Sequence, residues 1–91
     1  MASWNFLTNH ARILMHIGGH PDATGFEIAR AVGITERATR KIIGELQTAG
    51  YIEAERVGRR NEYRVDILRP LGLRGERDST VGALLGLLPH D

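Results

Sequence analysis

Cysteine is absent from the chain, which removes disulfides, thiolate redox chemistry and every Cys-ligated zinc site and leaves nothing that calls for an oxidising compartment. Long apolar runs are missing as well. No stretch approaches the roughly 18 to 20 uninterrupted apolar residues of a membrane-spanning helix. Polar residues interrupt the apolar ones in Met1–His10 before an export signal could form, and no basic region precedes them. A surplus of one charge is also lacking. The formal net charge is +1, so overall electrostatics select no partner, and any nucleic-acid binding has to come from cations gathered locally. Catalytic groupings are absent too: Ser3 and Ser79 are the only serines, both placed as helix caps, and Glu53 and Glu55 share a strand face with no histidine beside them. These absences predict a cytoplasmic, membrane-free, non-enzymatic protein without a cofactor.

What is present is enough for one small domain. Ninety-one residues with 42% hydrophobic content can build one modest core, and a chain of this size gains from burying more surface through oligomerisation. Turn signals divide it into short elements. Ser3 caps a first predicted helix with Phe6, Leu7, Ile13, Leu14 and Ile17 at three- and four-residue spacing, ended by Gly18-Gly19 and Pro21. Thr24 followed by Glu27 reads as a capping box opening a short helix with Ile28, Ala29 and Val32 inward, until Gly33. Thr35 then caps a longer helix carrying Ile42, Ile43, Leu46 and Ala49 on one side and ending at Gly50. After Gly50 the period falls to two. Residues 51–57 and 61–67 alternate as strands around a Gly58-Arg59-Arg60 turn. Ser79 caps a last helix with Val81, Leu84, Leu85 and Leu88 on one stripe. The class is α+β, mostly helical, with residues 1–67 as one unit and 68–91 as a loop and an apolar C-terminal helix.

The segment from Glu27 to Leu46 has the packing logic of a helix-turn-helix. Ala29 is small enough for two helices to approach, Gly33 suits a left-handed turn, and Ile28, Val32, Ile34, Ile42 and Leu46 form the shared core. Thr39 stands inward where Val or Ile is commoner, and can present its methyl group. With that face buried, Arg37, Arg40, Lys41 and Gly44 fall on the opposite face of the third helix. A stripe of that kind suits the major groove, where arginine pairs with guanine and lysine neutralises phosphate. The hairpin turn adds Arg56, Arg59, Arg60 and Asn61, with Arg64 further down, a tip able to reach phosphates or the minor groove. Between Thr35 and Arg64 stand seven cations (37, 40, 41, 56, 59, 60, 64) against five anions (36, 45, 53, 55, 62), so the patch is basic locally.

The runs from Ile28 to Arg37, from Leu46 to Ile52 and from Arg56 to Tyr63 together resemble winged helix-turn-helix transcriptional regulators of the MarR-like and ArsR-like kind, over about residues 10–67. The resemblance implies a DNA-binding regulator. Thr35 to Lys41, including Arg37, Ala38 and Arg40, would match the groove-facing half of its recognition helix, and Arg56, Arg59, Arg60 and Asn61 its wing. The partner implied is double-stranded DNA, and no effector is assigned. The long flanking dimerisation helices of MarR-like proteins have no counterpart in these residues, so a homodimer is expected instead through the apolar C-terminal helix, joined by Trp4 and Phe6, the alternative being that this helix folds back on the first helix of its own chain and completes the core. The competing function is a winged-helix module for protein–protein contacts without DNA. His16 and His20 have a ligand-like spacing, but the glycines between them disfavour a helix across the pair, and they read as polar or capping residues with no metal.

Overall fold

A computed structural model describes residues 7–70 and 80–86 of the chain. Helix α1 spans Asn9–Gly19, α2 Gly25–Val32 and α3 Glu36–Thr48; strands β1 (Ile52–Val57) and β2 (Arg60–Val65) follow, and α4 covers Val81–Leu85. Each helix begins where a threonine can satisfy the free N–H groups of the first turn. Thr8 caps α1 by accepting from the Ala11 N–H at 3.2 Å, so the first helix starts at Asn9 and not at Ser3. Ser3 and Phe6 lie outside the described residues, and Leu7 precedes the cap. At α2 the capping box is complete: Thr24 Oγ1 accepts from Glu27 N, and Glu27 Oε1 accepts from Thr24 N at 2.8 Å. Thr35 caps α3, and Thr80 caps α4. The last cap thus falls one residue beyond Ser79, which with Leu88 lies outside the described residues.

The short helices are held by what they bury, since eight residues of α2 would not persist alone. Ile13, Ile17, Ile28, Ile52, Val81 and Thr39 are almost wholly removed from solvent, with Leu14, Val32, Ile42, Ile43 and Leu46 around them. Ile34, Tyr51, Tyr63, Val65 and Leu85 pack against this cluster from its edges. Helix α1 is the hub, touching α2, α3, β2 and α4. Gly33 ends α2 at φ +84° with its N–H on Ala29 O; glycine enters that left-handed conformation without the Cβ clash other residues meet.

The hairpin is tighter than its sequence pattern suggested. Arg60 pairs with Val57 as the first residue of β2, leaving a two-residue turn, Gly58-Arg59. Gly58 has φ +64° at the first central position, as a turn matching the strands' twist requires. At the other end, Tyr51 precedes the ladder, and Ile67 lies beyond it in a turn, more than half exposed. The last described helix folds back on its own chain. Val81 is fully buried, Leu85 lies against Gly18, and the backbone N–H groups of Val81 and Gly82 donate to Arg69 O and Ile67 O. Arg69 in turn donates to Ala49 O at 2.6 Å and lies over the Tyr51 ring, tying this segment to the end of α3.

Candidate nucleic-acid interface

Helix α3 presents two chemically distinct faces because its core side admits no charge. Thr39, Ile42, Ile43 and Leu46 are buried, while Arg37, Arg40 and Lys41 stand exposed on the other side, with Gly44 half-buried at the end of the stripe. Thr39 fits the apolar core because its hydroxyl donates to Thr35 O at 2.9 Å, within its own helix. No buried side-chain polar atom among the described residues lacks a partner, so the inward threonine carries no desolvation cost of the kind an orphaned hydroxyl would. Thr35 is exposed with its oxygen committed to the Ala38 N–H at 3.1 Å, and Ala38 is half-buried. Thr35 therefore positions the start of the helix.

The exposed cations are not equivalent. Arg40 meets Glu36 one turn earlier at 2.6 Å, whereas no anionic partner stands within salt-bridge distance of Arg37 or Lys41 among the described residues. In the hairpin, the antiparallel register sorts the cations by face, because side chains of paired residues project to the same side. Ile52, Ala54 and Arg56 share one face with Val65, Tyr63 and Asn61; towards the tip this face runs beyond the core, leaving Arg56 and Asn61 exposed. Arg60 and Arg64 lie on the other face with Glu53, Glu55 and Glu62. There Arg64 bridges to Glu55 at 3.3 Å, beside the direct Glu55–Glu62 pairing of like charges. Arg60 reaches Asp22 in the α1–α2 loop at 3.2 Å. Arg56 donates to Gly58 O and so stays on its own turn, and Arg59 occupies the tip.

The predicted stripe and tip thus exist, but Arg40 and Arg60 are engaged by Glu36 and Asp22. All of these pairs are exposed, and exposed pairs are worth roughly 0.2–1 kcal/mol. Exchanging such a carboxylate for a phosphate costs little.

Two features went unseen in the sequence. Phe26, in the first turn of α2, is 57% exposed, and the Arg40 side chain crosses that turn, its Nε 3.7 Å from where a Cβ on Gly25 would stand. Behind the turn, His16, His20, Asp22, Ala23, Glu27 and Arg60 line one pocket. The His16 and His20 rings stack with centroids 4.4 Å apart. Burial holds the His16 imidazole below its ordinary pKa, with the neighbouring His20 adding to the effect and Glu27 opposing it. Glu27 is held below the usual carboxylate range by the backbone and side chain of Thr24, aided by Arg60 and His16. The spacing of the two histidines was legible; their place beside the hairpin depends on how β2 packs on α1. No group of three or more His, Cys, Asp or Glu with metal-holding geometry occurs among the described residues, and no helix there is long and apolar enough to cross a membrane.

Curated proteins give no match to the chain. Residues 4–60, more than half of the 91, match the MarR family, whose members are regulators and not enzymes. Three helices, a left-handed turn at Gly33 and an antiparallel hairpin directly after the third helix form the winged helix-turn-helix of that family, a DNA-binding kind of fold. The chain belongs to the MarR family.

Proposed function

We propose that the chain binds double-stranded DNA as a transcriptional regulator, with the exposed face of α3 in the major groove and the hairpin tip on the backbone or minor groove. The observation that carries this reading is the division of α3. A helix fixed by four buried side chains holds Arg37, Arg40 and Lys41 outward at helical spacing. That is the arrangement in which arginine and lysine reach base edges and phosphates. Thr35 and Ala38 set the start of the helix, and Arg56, Arg59, Arg60 and Asn61 supply the tip contacts.

The test is Arg40→Ala and Lys41→Ala, each measured for duplex affinity alongside circular dichroism. Both positions are exposed, so the fold should persist, and loss of a base contact costs on the order of 1 to 3 kcal/mol in a sequence-dependent way. Unchanged affinity in both variants sinks the groove assignment. Competition from a protein-interaction role is favoured by one set of observations: Arg40 and Arg60 already hold carboxylates, and Phe26 is exposed. That reading gains if no duplex is bound even at low salt.

A homodimer completes the proposal, because two-fold symmetry would let two copies of α3 reach half-sites one turn of DNA apart. Val81 and Leu85 serve the chain's own core, which leaves half-buried Leu84 and the exposed Ile67 and Leu68 as apolar surface near α4. Light scattering should give the mass of a dimer at DNA-binding concentrations. A monomer well above that range defeats it. The reading also keeps the protein in the cytoplasm, where its DNA would be.

A further inference from the structure

The pocket behind the first turn of α2 lies between the two cationic elements of the interface. On one side Arg60, first residue of β2, bridges to Asp22. On the other, Arg40 of α3 crosses Gly25. Between them stand the stacked imidazoles of His16 and His20 and the carboxylates of Asp22 and Glu27. With both imidazoles neutral, two anions face one cation in this pocket, an excess of one negative charge. One proton brings the balance to zero and a second makes it positive. The Glu27 carboxylate is tied to this place by its capping-box bond, accepting from Thr24 N at 2.8 Å. Nearly neutral as the whole chain is, this is a change of sign at the junction that would face the phosphate backbone.

We propose that His16 and His20, with Asp22, Glu27 and Arg60, form a proton-sensitive element between recognition helix and wing, so that duplex binding takes up protons and tightens as pH falls from about 7.5 to about 5.5. The proposal rests on the DNA-binding reading above. The groups facing the imidazole pair are Asp22 from the α1–α2 loop, Glu27 from α2 and Arg60 from β2. In the free chain, burial and the stacked partner favour the neutral imidazole of His16. A phosphate brought close favours the protonated one, so the DNA-bound state holds the proton more tightly and linkage requires protonation to strengthen binding in return.

The experiment is fluorescence anisotropy with a mixed-sequence duplex of roughly 20 base pairs, at constant ionic strength across that pH range, with circular dichroism at each pH to verify folding. The parent should bind roughly three- to ten-fold more tightly for each unit of pH lowered within the window. His16→Gln/His20→Gln should bind like the parent near pH 7.5 and lose the dependence. His10→Gln, at a histidine paired with Glu45 on the α1–α3 side, should keep it. As a second readout, the imidazole signal of His16 followed by NMR should titrate at higher pH once duplex is added. Duplex binding whose affinity does not change with pH overturns the proposal, as does a pH dependence that survives in the double variant. Absence of duplex binding at every pH overturns the DNA-binding reading itself.

Discussion

Helix α3 and the hairpin carry comparable sets of cations but are held in place by different means. One face of α3 is locked by Thr39, Ile42, Ile43 and Leu46, so its outer face is presented on a rigid body. The hairpin buries only Ile52, half-buries Tyr63 and Val65, and meets the helical layer through the Tyr63 N–H on Pro21 O at 2.7 Å and the exposed Arg60–Asp22 pair. Its tip, Val57 to Asn61, is exposed throughout. Rigid placement suits reading base edges, where small displacements cost contacts, and a lightly held tip suits phosphates, which tolerate adjustment. In this small domain most of the buried side chains therefore stand on the helices, and the hairpin joins the core through Ile52, Tyr63 and Val65 at its base.

The sharpest way to break that contrast is to cut into the helical side. Ile28→Ala should lose about 2–5 kcal/mol of stability in chemical denaturation, because the side chain is fully buried where α2 meets the core; Val57→Ala, nearly half exposed at the tip, should stay within about 0.5 kcal/mol. Equal losses at the two sites would mean that the hairpin is part of the cooperative core. Gly33→Ala should cost about 1–2 kcal/mol through the left-handed conformation alone, since a Cβ there meets nothing within 4 Å.

Arg59→Ala/Arg60→Ala should leave stability almost unchanged, lower affinity for all duplexes alike and flatten the log–log salt dependence by roughly two units. A slope equal to the parent's would take the tip off the DNA. The smallest effect is on stability against pH. The His16 pKa is lowered in the folded chain, so between that value and about 6.5 the unfolded chain binds more protons. Stability is therefore complete above about pH 6.5 and declines modestly as pH falls through the window. Denaturation midpoints should follow that course in the parent and lose this contribution in His16→Gln.

Much of the helical side was legible because its signals are local. A capping threonine acts within three residues and an apolar stripe within two turns, so Thr24, Thr35, Gly33 and the inward Thr39 could be placed from neighbouring letters. The misplaced starts share one cause. Serine and threonine both serve as caps, so neighbouring letters offer Ser3 as well as Thr8 and Ser79 as well as Thr80, and the described structure has the threonines capping α1 and α4. The hairpin turn was read one residue too long because Arg60 is chemically indifferent to strand or loop. Its pairing with Val57 follows from the conformation at Gly58. The candidate interface was legible as a list of cations but not as pairs. Which carboxylate holds Arg60 depends on the α1–α2 loop, 38 positions away in the chain, and no periodicity records that.

The most direct test of a groove-facing helix and a backbone-facing tip is a titration of the isotopically labelled chain with duplex DNA followed by NMR. The account predicts that the largest amide shift changes fall on Arg37 to Lys41 and on Arg56 to Asn61, with the α1–α4 contact around Gly18 and Leu85 left unmoved. Changes concentrated on α1 and α4, or none at duplex concentrations that saturate a nonspecific binder, would contradict it.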